Sequence, residues 1–131
     1  MVDSIQNIQV LIVEDDPDQV MLYSTKFSLE GISVVAVDSQ YDVVQHLRDG
    51  QFDLVLMDIL LRGENGLEIL EHMKQDNSFR HIPVAMFTNF NNREARERAQ
   101  KSGAIDFIVK SDITPKQAAV KVRDIVARMR G

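Results

Sequence analysis

The chain has 131 residues, of which 44% are hydrophobic and 27% are charged, as expected of one ordinary globular domain. It contains no cysteine, which excludes disulfide scaffolds and thiolate metal sites, and no apolar run near the roughly 20 residues that span a bilayer. The net charge of −5 is uneven, because residues 1–90 carry 5 Lys and Arg against 15 Asp and Glu, whereas residues 91–131 carry 10 against 5. We expect a cytoplasmic protein with one domain over residues 1–131 and no contact with a membrane.

Short apolar runs alternate along the chain with longer amphipathic segments. The runs are typical of buried strands and comprise Ile8–Val13, Ile32–Val37, Asp53–Met57, Ile82–Phe87 and Ile105–Val109. Polar caps, first-turn prolines and terminal glycines predict helices over Pro17–Glu30, Ser39–Asp49, Leu67–Gln75, Asn91–Ser102 and Thr114–Met129. This alternation predicts an α/β fold, namely a three-layer doubly wound (βα)5 sandwich around a five-stranded parallel sheet, with its core between about residues 8 and 129.

The functional site of such a sheet is expected at the carboxyl ends of its strands. Glu14, Asp15 and Asp16 follow the first run, and Asp58 follows the third. Three acids without a glycine disfavour a phosphate-binding loop and favour a hard divalent cation such as Mg²⁺. A role as helix N-cap explains Asp16, which stands before Pro17, but it does not explain Glu14 and Asp15.

Two further polar residues follow the later runs, Thr88 after the fourth and Lys110 after the fifth. Each alone is ordinary, since a threonine often caps a loop and a lysine is often a solvated charge. Together with the acids they would form a pocket of carboxylates, one hydroxyl and one ammonium. Such a pocket can make Asp58 a nucleophile toward a phosphoryl group, with Lys110 and a metal neutralising the phosphoryl oxygens and Thr88 donating a hydrogen bond.

These residues make the chain resemble a response-regulator receiver domain, whose fold is the CheY-like form of the flavodoxin-like fold, over about Ile8 to Met129. The motifs that carry the resemblance are Glu14 and Asp15 in VEDD, Asp58 in LVLMD, Gly66 eight residues later, Thr88 in AMFT, and Phe107 and Lys110 in FIVK. The resemblance implies a stand-alone receiver of a two-component phosphorelay without an output domain. Asp58 would accept a phosphoryl group from a histidine kinase or a phosphotransfer protein. Such a protein is not an enzyme, since it catalyses only its own phosphorylation and dephosphorylation.

The resemblance also implies roles for individual residues. Mg²⁺ or Mn²⁺ would be bound by Asp15, Asp58 and the backbone carbonyl of Leu60, with Glu14 acting through a metal-bound water. Thr88 and Phe107 would be the switch residues. When Thr88 moves toward the phosphoryl group, Phe107 would rotate inward and change the face formed by the fourth helix, fifth strand and fifth helix. The alternative for Phe107 is an ordinary core aromatic.

Three positions depart from the family pattern. Ser111 stands where a proline usually follows the lysine, which leaves open whether the Lys110–Ser111 peptide is cis or trans. Arg62 replaces a proline that is often found four residues after the phosphoacceptor. Asn89 stands directly after the switch threonine, where alanine or glycine is common, and the bulky Phe90 follows it. We expect Asn89, Phe90 and Arg62 to modulate access to the phosphoryl group.

The basic excess falls on the last two predicted helices. The residues are Arg93, Arg96, Arg98, Lys101, Lys116, Lys121, Arg123, Arg128 and Arg130. Nucleic-acid binding is disfavoured, because no interleaved aromatics or recognition-helix motif accompany them. Glu94 with Arg98, and Glu97 with Lys101, are i,i+4 pairs typical of a solvated helix face. We expect this face to dock a downstream protein target or a second copy, with plain solubility as the alternative.

Two other functions stay open. A pseudo-receiver, which binds partners without phosphorylation, is compatible with Ser111 and Arg62. A Mg²⁺-dependent phosphatase with an aspartyl nucleophile is disfavoured. Such enzymes usually carry a second acid two residues after the nucleophile, where this chain has Leu60, and a cap over the substrate.

Overall fold

Five parallel strands form the main sheet of the computed structural model, which describes residues 7–131. Of the domain expected over residues 1–131, residues 1–6 lie outside the described part. The strands are β1 (Ile8–Val13), β2 (Ile32–Val37), β3 (Leu54–Met57), β4 (Val84–Thr88) and β5 (Asp106–Val109). The helices between and after them are α1 (Pro17–Leu29), α2 (Gln40–Asp49), α3 (Gly66–Gln75), α4 (Arg93–Lys101) and α5 (Pro115–Arg130). The strand order is β2-β1-β3-β4-β5 with every neighbouring pair parallel, which confirms the predicted fold class.

Several elements begin later than the sequence pattern predicts. Strand β4 begins at Val84 rather than Ile82, because Pro83 has no N–H to donate to the neighbouring strand. Helices α2 and α5 begin one residue later than predicted, because Ser39 and Thr114 act as N-caps, and their side chains accept bonds from the first helical turn. The predicted cap at Asp16 is confirmed, since its side chain accepts from the backbone N–H of Asp18 at 2.9 Å.

The helices cover the sheet in two layers. Helices α1 and α5 pack on one side through Tyr23, Phe27, Ala118, Ala119, Val122, Ile125 and Val126. Helices α2, α3 and α4 pack on the other side through Val43, Leu47, Leu67, Ile69, Leu70, Met73, Ala95 and Ala99. Strand β3 is buried on both faces, whereas β2 at the edge exposes Ser33 and Ala36. In α5, Ala118, Val122, Ile125 and Met129 are spaced for the inner face, but Met129 lies in the last turn and is 53% exposed.

A short antiparallel β-hairpin that the sequence pattern does not predict follows β3. It pairs Leu60–Leu61 with Glu64–Asn65, and its turn contains Gly63 at a φ of 71°, a conformation that glycine adopts without strain. The hairpin holds the loop between Asp58 and α3 close to the carboxyl end of the sheet. Among the described residues, no helix is both long and apolar enough to cross a bilayer.

Candidate functional site

The carboxyl ends of β1, β3, β4 and β5 bring the predicted polar residues together. Glu14, Asp58, Thr88 and Lys110 are respectively 5%, 9%, 0% and 6% exposed, and these four are the buried polar or charged residues within the described part of the chain. Asp15 lies beside them and is partly buried. Because buried charges are rare unless they are paired, this concentration at one end of the sheet marks a candidate functional site.

Lys110 lies at the centre of the site. Its Nζ donates to Oε1 of Glu14, to Oε1 of Gln19 at 2.5 Å and to Oδ2 of Asp58 at 3.1 Å. The same Nζ lies 5.4 Å from the centre of the Phe87 ring. A buried ammonium has three protons to donate, and each finds an oxygen here.

Glu14 connects the lysine to the backbone of the next loop. Its Oε2 accepts from the backbone N–H groups of Asp15 and Asp16, both at 3.1 Å. Burial raises the pKa of the Glu14 carboxyl above its ordinary value of 4.5; the Lys110 ammonium opposes this rise and the Asp58 carboxylate adds to it. Its predicted action through a metal-bound water stays a prediction.

Asp58 is held by one bond to each carboxylate oxygen. The backbone N–H of Ile59 donates to Oδ1 at 2.7 Å, and Lys110 donates to Oδ2. The side chain of Asp58 is 12% exposed, so that it is reachable from solvent at the mouth of the pocket. The aspartate is therefore both oriented and accessible, as a nucleophile must be.

Gly66 allows the loop after Asp58 to close. Its backbone N–H donates to the carbonyl of Ile59 at 2.8 Å. A Cβ atom at this position would lie 1.8 Å from the carbonyl oxygen of Asp58, far inside van der Waals contact. Only glycine allows this approach, which gives a physical reason for the glycine that the sequence motif contains.

Asp15 and Asp58 are the two carboxylates at this end of the sheet that could hold a divalent cation. Oδ2 of Asp15 accepts from the backbone N–H of Arg62 at 2.7 Å, while the side chain of Arg62 is 88% exposed and its Nε lies 4.0 Å from the same oxygen. Together with Glu14, the three carboxylates outnumber the ammonium of Lys110, so that the pocket retains negative charge for a cation.

The two carboxylates fit Mg²⁺ better than they fit a metal ion that needs three or more protein side chains as ligands. Within residues 7–131 no group of three or more His, Cys, Asp or Glu side chains is arranged to hold a metal ion. Mg²⁺ is usually bound through one or two carboxylates and keeps several waters, so that two carboxylates such as those of Asp15 and Asp58 could hold it. Leu60 lies in the hairpin, where it pairs with Asn65; its carbonyl as a third ligand stays a prediction.

Thr88 and the residue after it each accept a hydrogen bond from the backbone of a loop. Oγ1 of Thr88 accepts from the backbone N–H of Phe90 at 3.0 Å, and Phe90 is 37% exposed. Oδ1 of Asn89 accepts from the backbone N–H of Ser111 at 2.8 Å. The Lys110–Ser111 peptide is trans, since the described residues contain no cis peptide bond. The roles of Asn89 and Phe90 in access stay predictions.

Phe107 is half-buried at the edge of the core below α4. The guanidinium of Arg96 lies 4.8 Å from the centre of its ring, and Nε of Arg96 also donates to Oδ1 of Asn91 at 2.7 Å. A groove of about 390 Å³ between α4 and β5 is lined in part by these two residues, Arg96 and Phe107. The ring is therefore covered by a cation rather than packed in the deep core.

Four of the nine basic residues on the last two helices pair with acids elsewhere in the described part of the fold. Arg98 donates through two nitrogens to Glu71 of α3, both at 2.8 Å. The other pairs are Lys121 with Asp106, Arg123 with Glu30 and Arg130 with Asp53. Glu94, Glu97 and Lys101 are exposed, as expected of a solvated helix face, although within the described residues neither Glu94 with Arg98 nor Glu97 with Lys101 forms an ion pair.

Arg98 binds Glu71 because α3 lies beside α4 and presents both carboxylate oxygens in a partly buried position. A bidentate bond of this kind is stronger than an exposed pair along one helix. The hydrogen bond from Arg98 holds the pKa of the Glu71 carboxyl below its ordinary value. Ser102 adds a third bond to the same carboxylate, at 3.1 Å, so that the contact joins the two helices.

The sequence pattern did not identify Gln19, which accepts from Lys110. Gln19 is the third residue of α1, and a helix that follows directly after β1 places its first turn at the carboxyl end of the sheet. This position was the signal that could have found it. Glu71 and the Ser111 N–H carried no comparable sequence signal.

The fold and the site define a class of protein, a parallel α/β domain with a buried aspartate and lysine at the ends of its strands. The family model of the response regulator receiver domain matches residues 10–122. The chain is 32% identical over 107 residues to the polar-differentiation response regulator DivK of Brucella ovis. The aligned residues cover 82% of this chain and 87% of that protein. The chain therefore belongs to the response regulator receiver domain family.

Two further similarities agree with this family. The chain is 28% identical over 121 residues to the phosphate regulon transcriptional regulatory protein PhoB of Escherichia coli. The aligned residues cover 92% of this chain and 52% of PhoB. It thus spans about half the length of PhoB. A CheY-like receiver domain protein from Methanospirillum hungatei has the same fold, with a TM-score of 0.85, 22% identity and coverage of 95% of this chain and 98% of that one.

Membership of the family carries some general properties. Receiver domains are signalling domains of two-component systems and generally are not enzymes. They interact with histidine kinases and downstream targets, and they typically bind Mg²⁺ for phosphorylation.

Proposed function

We propose that this receiver accepts a phosphoryl group on Asp58 from a histidine kinase or a phosphotransfer protein. The observation that supports this most is the burial of Glu14, Asp58, Thr88 and Lys110 at one end of the sheet. Burying charged groups costs free energy, and packing alone does not require such a cluster. A chemical role for the group accounts for that cost.

The proposed transfer forms one bond and breaks another. An oxygen of the Asp58 carboxylate attacks the phosphorus of a phosphohistidine. As the oxygen–phosphorus bond forms, the bond from phosphorus to the imidazole nitrogen breaks, and its electron pair leaves with that nitrogen, which takes a proton from solvent. Lys110 lies 3.1 Å from Oδ2 of Asp58, close enough for its ammonium to neutralise charge on the transferred group.

Asp15 and Asp58 would hold Mg²⁺ or Mn²⁺, together with the carbonyl of Leu60 and, through water, Glu14. When bound, the ion supplies positive charge against the phosphoryl oxygens. The bond from the Arg62 backbone to Asp15 orients this carboxylate toward the pocket without using the Arg62 side chain.

The proposed output is a change on the face formed by α4, β5 and α5. Thr88 would donate a hydrogen bond from its hydroxyl to a phosphoryl oxygen. Phe107 would then move inward from its half-buried position below Arg96. A downstream protein or a second copy would bind the changed face. Nucleic-acid binding is less well supported, because Arg98, Lys121, Arg123 and Arg130 are already paired with acids of the same chain.

A cytoplasmic location also belongs to this proposal, since it is consistent with the receiver domain family.

The test is phosphorylation by acetyl phosphate in the presence of Mg²⁺, followed by intact mass. We expect a mass gain of one phosphoryl group in the wild type and none in Asp58→Asn. Asp38→Asn is the matched control, since Asp38 follows β2 at the same end of the sheet and is exposed; it should be modified like the wild type.

Two results would contradict the proposal. Equal modification of Asp58→Asn would move the phosphoacceptor to another residue. No modification of the wild type, either by acetyl phosphate or by a phosphorylated phosphotransfer protein, would favour the pseudo-receiver that binds partners without phosphorylation.

A further inference from the structure

Two of the positions that depart from the family pattern contact each other. Oδ1 of Asn89 accepts from the backbone N–H of Ser111 at 2.8 Å, although the two residues are 22 positions apart. Thr88 and Val109 form the last pair of the β4–β5 ladder, so that Asn89 and Ser111 lie just beyond it. The bond therefore continues the connection between the two strands into the two loops that follow them.

The Ser111 N–H needs a partner because of its place in the chain. Ser111 lies in a single 3₁₀ turn, Lys110–Asp112, that follows β5, and no side chain caps this turn from its own N-cap position. N–H groups in the first turn of a helix have no partner within the helix. Asn89 supplies that partner. A proline at position 111 would have no N–H, so that this asparagine and this non-proline residue form a matched pair.

The bonded N–H belongs to the peptide that directly follows Lys110. At its far end, the Lys110 side chain is fixed by Glu14, Gln19 and Asp58. The bond to Asn89 fixes the backbone end of the same residue. Asn89 in turn directly follows Thr88. The bond thus links the backbone segments of the two residues, Thr88 and Lys110, that would face the phosphoryl group.

We propose that Asn89 is a positioning residue, whose bond to the Ser111 amide sets the turn that carries Lys110 against the loop that carries Thr88. This role rests on the proposed function of Asp58 as phosphoacceptor. The Ser111 side chain is not needed for it, whereas its backbone N–H is. Removing either the acceptor or the donor breaks the same connection, so that the two changes have the same effect and their combination adds nothing.

The first experiment measures amide hydrogen exchange by NMR without a phosphodonor. The Ser111 amide should be protected in the wild type and in Ser111→Ala, which keeps the N–H. Its exchange should become about fivefold faster or more in Asn89→Leu, as expected for loss of one hydrogen bond. Asn89→Asp keeps an acceptor oxygen and should retain the protection. Unchanged exchange in Asn89→Leu would overturn the inference.

The second experiment measures the initial rate of phosphorylation by acetyl phosphate at saturating Mg²⁺. We expect Asn89→Leu and Ser111→Pro each to be about threefold to tenfold slower than the wild type, the range that one hydrogen bond provides. The double variant should be no slower than the slower single variant. Ser111→Ala should react at the wild-type rate. Asn89→Asp should react faster than Asn89→Leu and reach most of the wild-type rate.

The outcomes separate this inference from the proposed function. If the wild type is phosphorylated but Asn89→Leu reacts equally fast, the positioning role is wrong and the proposed function stands. If the rate losses of the two single variants multiply in the double variant, they act independently and the inference is also overturned. If the wild type is not phosphorylated by any donor, the proposed function fails, and the positioning role for Lys110 fails with it.

Discussion

Helices α4 and α5 both carry an excess of positive charge, with four bases against two acids in α4 and five against one in α5, but they are attached to the sheet by different means. Helix α5 has 16 residues, begins with a capping box at Thr114 and buries Ala118, Ala119, Val122, Ile125 and Val126. Helix α4 has nine residues and buries only Ala95 and Ala99. The charge on a helix thus says little about how firmly the helix is held.

The difference in burial is a difference in stabilisation. A fully buried valine or isoleucine contributes about 1.5–3 kcal/mol, and a buried methyl-sized group about 0.8 kcal/mol. Helix α5 is therefore held mainly by apolar packing. Helix α4 depends to a larger extent on polar contacts, from Arg98 to Glu71 and from Arg96 to Phe107. Elements with few buried apolar contacts open most easily, which agrees with the proposed switching of the α4 face.

The largest effect should come from the apolar anchor of α5. Ile125→Ala removes a fully buried side chain and should lower the free energy of unfolding by about 2–5 kcal/mol. Ala99→Gly, the corresponding change in α4, should cost about 1 kcal/mol through helix propensity. Urea unfolding measures both. An equal or larger cost for Ala99→Gly would contradict the comparison of the two helices.

The next effect should come from the ion pair between α3 and α4. A double-mutant cycle of Glu71→Gln and Arg98→Gln should give a coupling energy of about 1 kcal/mol, moderate because both side chains are partly exposed. Hydrogen exchange in α4 should become faster while exchange in α5 does not change. Glu94→Gln is the matched control, with no ion pair among the described residues, and should change stability by less than about 0.5 kcal/mol.

The same pair should depend on pH in a defined direction. Because the hydrogen bond from Arg98 lowers the pKa of Glu71 below its ordinary value of 4.5, the carboxylate stabilises the folded state above that value. This contribution is lost as the pH falls through the lower pKa of the folded state. The stability difference between wild type and Glu71→Gln should be constant near neutral pH and shrink as the pH falls below 4.5. A difference that grows on acidification would have the wrong sign.

The smallest effect should come from the cation over Phe107. Arg96→Ala removes an exposed cation–π contact and should lower the stability by no more than about 1 kcal/mol. It should also shift the NMR resonances of the Phe107 ring. Arg93→Ala is an exposed control in the same helix and should leave these resonances in place. Unshifted Phe107 resonances in Arg96→Ala would show that α4 is held without this contact.

Much of the site could be predicted from the strand pattern. Once Ile8–Val13 and Leu54–Met57 are recognised as parallel strands, Glu14 and Asp58 must lie at the same edge of the sheet, and the same argument brings in Thr88 and Lys110. Short strands with buried faces give a strong signal because apolar side chains dominate them. The hairpin at Leu60–Asn65 gave no such signal, since each of its strands has only two residues.

The contacts that could not be predicted join side chains from distant parts of the chain. Gln19 with Lys110, Asn89 with the Ser111 N–H, and Glu71 with Arg98 each depend on how two loops or helices lie after folding. Nothing local distinguishes Glu71 from Glu68, the other acid of α3. These pairings depend on side-chain rotamers and on the distances between helices and loops in the folded protein. The hydrophobic periodicity of the sequence contains no information about either.

The uneven charge of the chain is also explained partly by the sequence and partly by the tertiary structure. The sequence by itself determined that acids dominate residues 1–90 and that bases dominate residues 91–131, and it predicted Lys110 as the cation of the acidic pocket. Only the tertiary structure decided that Arg98, Arg123 and Arg130 bind acids of the first part of the chain. The reason is geometric: folding brings α3, α1 and the segment before β3 within reach of these cations, and a partly buried partner on a neighbouring element binds more strongly than an exposed one along the same helix.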